Sequence, residues 1–164
     1  MKKANFINES FKNLNTLDTL QKPYFSLQFA DTIKRYFNTY FESSVTVTTS
    51  LQTPSNIITN GYNLATFFKE ALKLDRGNHL LNIHMEEIAG FKLKITVSAE
   101  GGLALGDKDE EKLRAIARIS RFDLDIQNGS LILIQKMEAV TSIPVNAMYH
   151  TSPLFDEFKR AFAN

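Results

Sequence analysis

Hydrophobic residues recur at helical spacing in four parts of the chain. Phenylalanine or isoleucine stands at every fourth position from residue 29 to residue 41, and Pro23 precedes them where it suits a first helical turn. We therefore predict a helix from Pro23 to about Phe41. The same kind of spacing predicts three further helices, over residues 62–74, 107–120 and 152–162.

Apolar and polar residues alternate in the stretches between these helices, which predicts strands. The segments are SVTVTTSL, SNIIT, LLNIHME, FKLKITVSA, FDLDI and SLILIQKM. The EIAG segment joins two of them as an antiparallel hairpin, and Asn128-Gly129 joins the last two, because Asn-Gly between apolar alternations is the strongest short-range hairpin signal. Asn60-Gly61 predicts another turn. IPVNAMYH predicts an edge strand, since Pro144 is unsuited to a central one.

Helices grouped with mostly antiparallel strands predict an α+β fold. We expect a two-layer sandwich, with the helices on one face of a mixed, mostly antiparallel sheet. A length of 164 residues is typical of one domain. We divide it into a polar N-terminal arm (1–22), a core (23–137) and a C-terminal strand and helix extension (138–164).

Composition and charge argue against several classes of partner. The formal net charge is +1, which gives no reason to expect a nucleic acid or an acidic membrane. The chain has no cysteine, which excludes disulfides and is typical of a reducing cytoplasm. No apolar run approaches the roughly 20 residues that span a bilayer, and the N-terminal residues lack the apolar segment of a signal peptide. We expect a cytoplasmic protein.

Three segments carry a resemblance to a known family. LATFFKEALKL has Ala71 and Lys73 at the end of a predicted helix, ITVSAEGGLAL places Gly101 just after a strand, and FDLDIQNGSLILIQKM is a closing strand pair. Over about residues 25–137 this order resembles the ATP-binding domain of histidine kinases, the GHKL family, whose N-box and D-x-G-x-G motifs occupy the first two places. The resemblance implies a histidine-kinase-like ATPase fold.

The residues that hold ATP in that family are replaced at the matching positions. Glu70 stands at the N-box asparagine that supports magnesium, and Thr66 at a glutamate that is a general base in some branches. Ala99 replaces the aspartate that accepts the adenine amine, and Leu103 replaces the second glycine. The third helix follows Gly106 too closely for an ATP lid. An unpaired adenine amine would cost about 1–3 kcal/mol, so we expect neither ATP nor magnesium as a cofactor.

The resemblance implies a cleft between the helix at 62–74 and the strand that ends at Ala99. Its candidate residues are Thr66, Glu70, Lys73, Ala99, Glu100, Gly101 and Gly102. We interpret the chain as a catalytically silent ATPase-like domain that acts as a protein-interaction or regulatory module, as in bacterial two-component-like signalling. The alternative is a nucleotide or small-ligand sensor, or an enzyme, that uses the same cleft with non-standard residues. An unrelated α+β domain is a third interpretation.

Histidines and charged clusters indicate no further chemistry. His79, His84 and His150 lack metal-ligand spacing, and the helix predicted at 23–41 carries no histidine that could accept phosphate. GDKDEEK is typical of the solvated first turn of a helix. Arg114, Arg118 and Arg121 could share a face of the third helix. They could bind a phosphate group, although charge on an outer helix face is more typical of solvation.

The last predicted helix carries an apolar stripe that the resembled core does not require. Ser152 as cap and Pro153 as first residue mark the start of this helix. The stripe consists of Leu154, Phe155, Phe158 and Phe162. It either packs on the chain's own sheet or docks a protein partner or a second copy, because aromatic stripes often provide hot spots. We therefore expect a protein partner or a homodimer.

Overall fold

The computed structural model describes residues 21–74, 80–140 and 153–164, which contain four helices and eight strands. The helices are α1 (Ser26–Tyr40), α2 (Gly61–Leu72), α3 (Asp107–Ile119) and α4 (Pro153–Ala163). The strands are β1 (Lys22–Phe25), β2 (Val45–Thr49), β3 (Ser55–Thr59), β4 (Leu81–Ile88), β5 (Lys92–Ala99), β6 (Asp123–Gln127), β7 (Ser130–Lys136) and β8 (Glu138–Ala139). None of these four helices has the length and apolar character needed to cross a bilayer. Residues 1–20 of the predicted arm, the strand predicted from IPVNAMYH, and Ser152 lie outside the described residues.

Five strands form the main sheet in the order β2-β4-β5-β7-β6, in which β2 and β4 are parallel and the other neighbours antiparallel. Alternation in β4 and β5 places most of their apolar residues on one buried face, together with Leu131 and Leu133 of β7. The opposite face carries polar residues such as Asn82 and Lys94, and also Ile132 and Ile134 of β7. The predicted α+β class is confirmed. Both predicted hairpins are also confirmed, and Asn128 and Gly129 have the positive φ that a tight hairpin turn requires.

The three remaining strands form a second, antiparallel sheet in the order β1-β3-β8. The helix predicted from Pro23 is therefore wrong at its beginning, because Pro23 lies in β1 and pairs with Ile58, while α1 begins at Ser26. β1 is an edge strand, where a proline without an N–H group is tolerated. Helical spacing in the following residues extended the prediction one turn too far.

Asn60 and Gly61 do not form the predicted turn. Asn60 is the N-cap of α2, and its side-chain oxygen accepts a hydrogen bond from the backbone N–H of Asn63 at 2.9 Å. Gly61 is the first residue of the helix. Its lack of a side chain is required by packing, since a Cβ atom there would lie 2.0 Å from Oε2 of Glu157.

The apolar stripe of α4 packs within the chain, against α1 and α2 rather than against the sheet. Leu154 and Phe158 are buried at 0% and 1% exposure. The ring of Phe158 contacts the rings of Tyr36, Phe37 and Phe68 at centroid distances of 5.4, 6.2 and 6.0 Å. Leu154 and Phe158 are therefore not exposed to the partner that the sequence stripe suggested, because they are buried among this chain's own helices.

A buried carboxylate fastens α4 to the second sheet. Glu157 is 6% exposed and accepts hydrogen bonds from the hydroxyl of Tyr24 at 2.9 and 3.0 Å. The ammonium group of Lys22 lies 3.2 Å from the same carboxylate. Buried charge is tolerated when it is paired and hydrogen-bonded, as it is here. β1, the beginning of α2 and α4 therefore meet at one carboxylate.

Two buried tyrosines make the stability of the fold sensitive to alkaline pH. Burial, and then the nearby Glu157 charge, raise the pKa of Tyr24 well above its ordinary value. Burial, and then Tyr40, raise the pKa of Tyr36 to about 12. The folded chain then holds these protons more tightly than the unfolded chain. Their contribution to stability is present below about pH 10 and is lost as the pH rises through the folded-state pKa values.

We expect the free energy of unfolding to fall between about pH 10 and 12. Urea unfolding across this range, with tyrosinate absorbance as the titration signal, measures the effect. In Tyr36→Phe the slope should be shallower than in the unaltered chain, because phenylalanine has no proton to lose. An equal slope in both proteins would contradict this assignment.

Candidate functional site

The predicted cleft residues lie on two elements that the structure does bring together. Thr66 and Glu70 are on α2, and Lys73 follows its last turn, while Ala99 ends β5. The backbone N–H of Ala104 donates to the carbonyl of Leu74 at 2.9 Å, which ties the loop after β5 to the end of α2. The two walls of the predicted cleft are therefore joined by a direct backbone hydrogen bond.

Glu70 is held by two lysines. One carboxylate oxygen lies 3.2 Å from Nζ of Lys73, and the other lies 3.2 Å from Nζ of Lys112 on α3. The Glu70 side chain is 17% exposed, so these pairs are only partly screened by water. Both oxygens thus have a cation within ion-pair distance.

Thr66 is also engaged within its own helix. Its hydroxyl donates to the carbonyl of Tyr62, four residues earlier, at 3.0 Å. A threonine hydroxyl in this arrangement completes a local hydrogen bond of the helix. Thr66 has neither the charge nor the free orientation of a general base.

The glycine turn after β5 serves a close contact between backbones. Gly101 and Gly102 have φ values of 82° and 83°, and the N–H of Gly102 donates to the carbonyl of Ala99 at 2.9 Å. The turn lies against the β6–β7 hairpin, since a Cβ atom on Gly129 would be 3.2 Å from Cα of Gly102. The left-handed φ favours glycine at these positions. The predicted candidate glycines are therefore explained by backbone packing.

Leu103 follows this turn, and its side chain packs into the core. Its side chain is 3% exposed and belongs to the hydrophobic core, and its backbone N–H donates to the carbonyl of Gly129 at 3.1 Å. The family resemblance places a second glycine at this position, where the backbone would have to stay clear of a ligand. In this chain the position is filled by a core side chain. Glu100 is exposed beside it.

His84 lies on the open face of the main sheet. Its Nδ1 is 2.7 Å from the hydroxyl of Thr48, and its Nε2 is 3.6 Å from a carboxylate oxygen of Glu86. Across residues 21–74, 80–140 and 153–164, no three histidine, aspartate or glutamate side chains are grouped as metal ligands would be. His79 and His150 are outside the described residues.

The sequence interpretation missed a concave site in the described part of the chain. It is a pocket of about 190 Å³ at the junction of the two sheets, between the end of α3, β3 and the end of β7. Its lining consists of Ile58, Arg121, Asp123, Ile134, Gln135, Lys136 and Glu138. Only Arg121 was noted in the sequence, as a member of a helix face. The signal that could have indicated this site is an arginine, rather than a glycine, directly after the last turn of α3.

No protein-family model and no curated protein matches the chain. Solved structures that are similar to it include the Acinetobacter baumannii histidine kinase AdeS, at 12% identity and a TM-score of 0.49, over 85% of this chain and 75% of that one. The mycobacterial sensor histidine kinase MprB has 11% identity and a TM-score of 0.45, over 74% and 100% of the two chains. Full-length ShkA in complex with AMPPNP has 14% identity and a TM-score of 0.37, over 74% and 31%.

The chain is similar in structure to histidine kinases. This is the likeness that the order of its elements predicted. It concerns the path of the backbone, at 11–14% sequence identity. The roles of the individual side chains therefore depend on their own contacts.

Proposed function

We propose that the chain is a catalytically silent histidine-kinase-like ATPase domain that acts as a protein-interaction or regulatory module in cytoplasmic signalling. The observation that carries the proposal is the state of Glu70, whose two oxygens are each paired with a lysine, one of them from α3. This carboxylate stands where the family resemblance places a magnesium-supporting side chain. Here it ties α2 to α3 instead.

Magnesium would have to compete with a lysine at whichever oxygen of Glu70 it approached. Mg²⁺ prefers near-octahedral oxygen coordination and usually takes one or two carboxylates together with substrate phosphates. Lys112 and Lys73 already neutralise the charge that would attract the ion. The backbone bond between Ala104 and Leu74 further holds the walls of the cleft together. These contacts favour a structural role for the cleft.

The adenine side of the cleft supports the same proposal. Ala99 has no side-chain acceptor, and Leu103 fills the turn below it from the core. An adenine amine that exchanged water for an apolar contact would lose about 1–3 kcal/mol, or roughly 5- to 150-fold in affinity. Base recognition and metal recognition are thus weakened together.

A protein partner or a second copy is proposed at the exposed end of the α1–α4 pair. Tyr40 is 50% exposed and contacts the ring of Phe155, which remains partly exposed, as does Phe162. The guanidinium of Arg35 lies 5.4 Å from the centre of the Phe155 ring. Exposed aromatic residues beside an arginine are the composition that interface hot spots favour.

Nucleotide binding is the direct test of catalytic silence. We expect no change in the thermal unfolding midpoint with millimolar ATP, ADP or GTP and magnesium, and no release of phosphate from ATP. A nucleotide present at 100 times its dissociation constant would add about 2.7 kcal/mol of stability, so millimolar nucleotide reveals binding with a dissociation constant of about 10 μM or below.

Lys112→Ala is the informative variant for this test. It frees one oxygen of Glu70 without changing Ala99 or Leu103, and we expect it to remain without nucleotide binding. A saturable midpoint shift in the unaltered chain that disappears in Glu70→Gln would overturn the proposal. Light scattering of the purified chain distinguishes a homodimer from a monomer.

The alternative, a sensor or enzyme that uses the same cleft, requires Glu70 and Lys73 to face a ligand. Nζ of Lys73 is bonded to Glu70 at 3.2 Å, so the two groups satisfy each other. The contacts of this cleft therefore favour the regulatory module.

A further inference from the structure

The pocket at the junction of the two sheets has a rigid wall built by one glutamine. β8 pairs with β3 only at Ser55 and Asn56, so it does not reach the backbone of Ile58. The side chain of Gln135 takes its place. Its oxygen accepts from the N–H of Ile58 at 3.0 Å, and its amide donates to the carbonyl of Ile58 at 2.9 Å. The pocket is thus framed by a fixed link between β7 and β3.

The same glutamine fixes the turn that carries Arg121. The amide of Gln135 donates to the carbonyl of Arg121 at 2.8 Å. The N–H of Arg121 donates to the carbonyl of Arg118 at 3.0 Å, and the N–H of Phe122 donates to the carbonyl of Ala117 at 2.9 Å. These two bonds are the pair that defines a Schellman motif at a helix C-terminus. The turn is therefore held by both Schellman bonds and by the side chain of Gln135.

Arg121 occupies the position of this motif that is normally glycine. Its φ is 65°, in the left-handed region that is unfavourable for residues with a Cβ atom. Because glycine would satisfy the same turn without strain, the turn itself does not explain the arginine. Its side chain lines the pocket, which indicates that the pocket, and not the turn, is the reason for an arginine at this position.

Four charged side chains line the pocket and form no ion pairs with one another. Arg121 and Lys136 are cationic, and Asp123 and Glu138 are anionic. In the part of the chain that the structure describes, none of these four side chains forms an ion pair or a side-chain hydrogen bond. Two positive and two negative groups line one cavity and are exposed to solvent rather than paired with each other, so together they are complementary to a ligand that carries both charges.

We propose that this pocket binds a small zwitterion of the α-amino-acid type, with its carboxylate held by Arg121 and Lys136 and its ammonium group by Asp123 and Glu138. The volume of about 190 Å³ limits the ligand to this size, since pockets for drug-sized molecules span roughly 300–1,000 Å³. A guanidinium suits a carboxylate because its donors form a planar fork. Ile58 and Ile134 offer apolar contact to the side chain of the ligand.

The test uses the complete chain and each standard amino acid in turn. Thermal unfolding identifies the amino acid that raises the midpoint most, and calorimetric titration then gives its dissociation constant. We expect saturable binding by at least one amino acid. The N-acetyl derivative and the carboxamide of the same amino acid, which each lack one charge, should bind about tenfold more weakly or worse.

Arg121→Gly is the decisive variant because the turn tolerates it. We expect it to weaken binding about tenfold or more, with an unfolding midpoint equal to or above that of the unaltered chain. Glu138→Gln should weaken binding through the ammonium group. Arg118→Ala is the matched control, because Arg118 is an exposed cation near the end of the same helix but outside the pocket, and its affinity should be unchanged.

Three results would each overturn the proposal. They are the absence of any midpoint shift with all the amino acids, equal binding of the charge-blocked derivatives, and unchanged affinity in Arg121→Gly. The pocket is separate from the cleft that contains Glu70. A nucleotide-binding result therefore leaves this inference standing, and an amino-acid result does not decide whether the ATPase-like cleft is silent.

Discussion

Phe158→Ala is expected to lower the free energy of unfolding by about 3–5 kcal/mol, the usual range for deleting a buried phenylalanine. Phe158 is 1% exposed and its ring contacts rings of both α1 and α2. Its removal leaves a cavity where three helices meet, and the aromatic neighbours lose edge contacts that add to area burial. Because whole domains are stable by only about 5–15 kcal/mol, the variant should be close to unfolding.

Urea unfolding at neutral pH measures this prediction through the midpoint at unchanged slope. Phe155→Ala is the control from the same stripe. Phe155 is only partly buried and contacts Tyr36 and Tyr40 at the edge of the cluster, so its loss should cost clearly less, about 1–2 kcal/mol. Equal losses of stability in the two variants would contradict the assignment of Phe158 to the core and Phe155 to its edge.

The main sheet could be predicted from the sequence because its strands follow a simple rule. Alternation in β4 and β5 marks one buried face, and Asn128-Gly129 fixes the register of the last hairpin. The second sheet could not be predicted in the same way. β1 has four residues and β8 has two, which is too short for a period to be visible. Their pairing with β3 is decided by tertiary contacts.

The packing of α4 shows a second limit of sequence patterns. An apolar stripe predicts that a helix face is buried, but it does not predict which element buries it. In this chain the cover is α1 and α2, which lie more than a hundred and about ninety residues earlier. The residue that explains this docking is Glu157, which lies between Phe155 and Phe158 and reads as an ordinary surface charge of the helix.

The elements that carry the candidate cleft residues could be predicted from the sequence, but the contacts between those elements could not. The sequence placed Thr66, Glu70 and Ala99 on facing elements, and the structure joins those elements through Ala104 and Leu74. Lys112 could not be assigned to Glu70, because an ion pair between residues on two different helices depends on how those helices pack. The pocket of Arg121 depends on contacts among β3, β7 and the end of α3, which no local pattern encodes.

Gly61→Ala is expected to lower the free energy of unfolding by about 2–3 kcal/mol, in the upper part of the range for overpacking. Intrinsic propensity predicts the opposite sign, since alanine is better than glycine in a helix by about 1 kcal/mol. The deciding contact is steric. The new Cβ atom would lie 2.0 Å from Oε2 of Glu157 and 2.7 Å from Cδ1 of Leu154, and both atoms belong to α4. Relief requires the buried side chains of Glu157 and Leu154 to move, which weakens the bond between Glu157 and Tyr24.

A double-mutant cycle with Glu157→Ala separates this steric cause from a general effect on α2. Glu157→Ala alone removes the acceptor of Tyr24, a hydrogen bond to a charged group worth about 1.5–3 kcal/mol. It also removes the atom nearest to the new methyl group, although Leu154 stays in place. Gly61→Ala should therefore cost about 1 kcal/mol or less in that background, with a coupling of about 2 kcal/mol between the sites. Strictly additive costs would show that the carboxylate does not lie against Gly61.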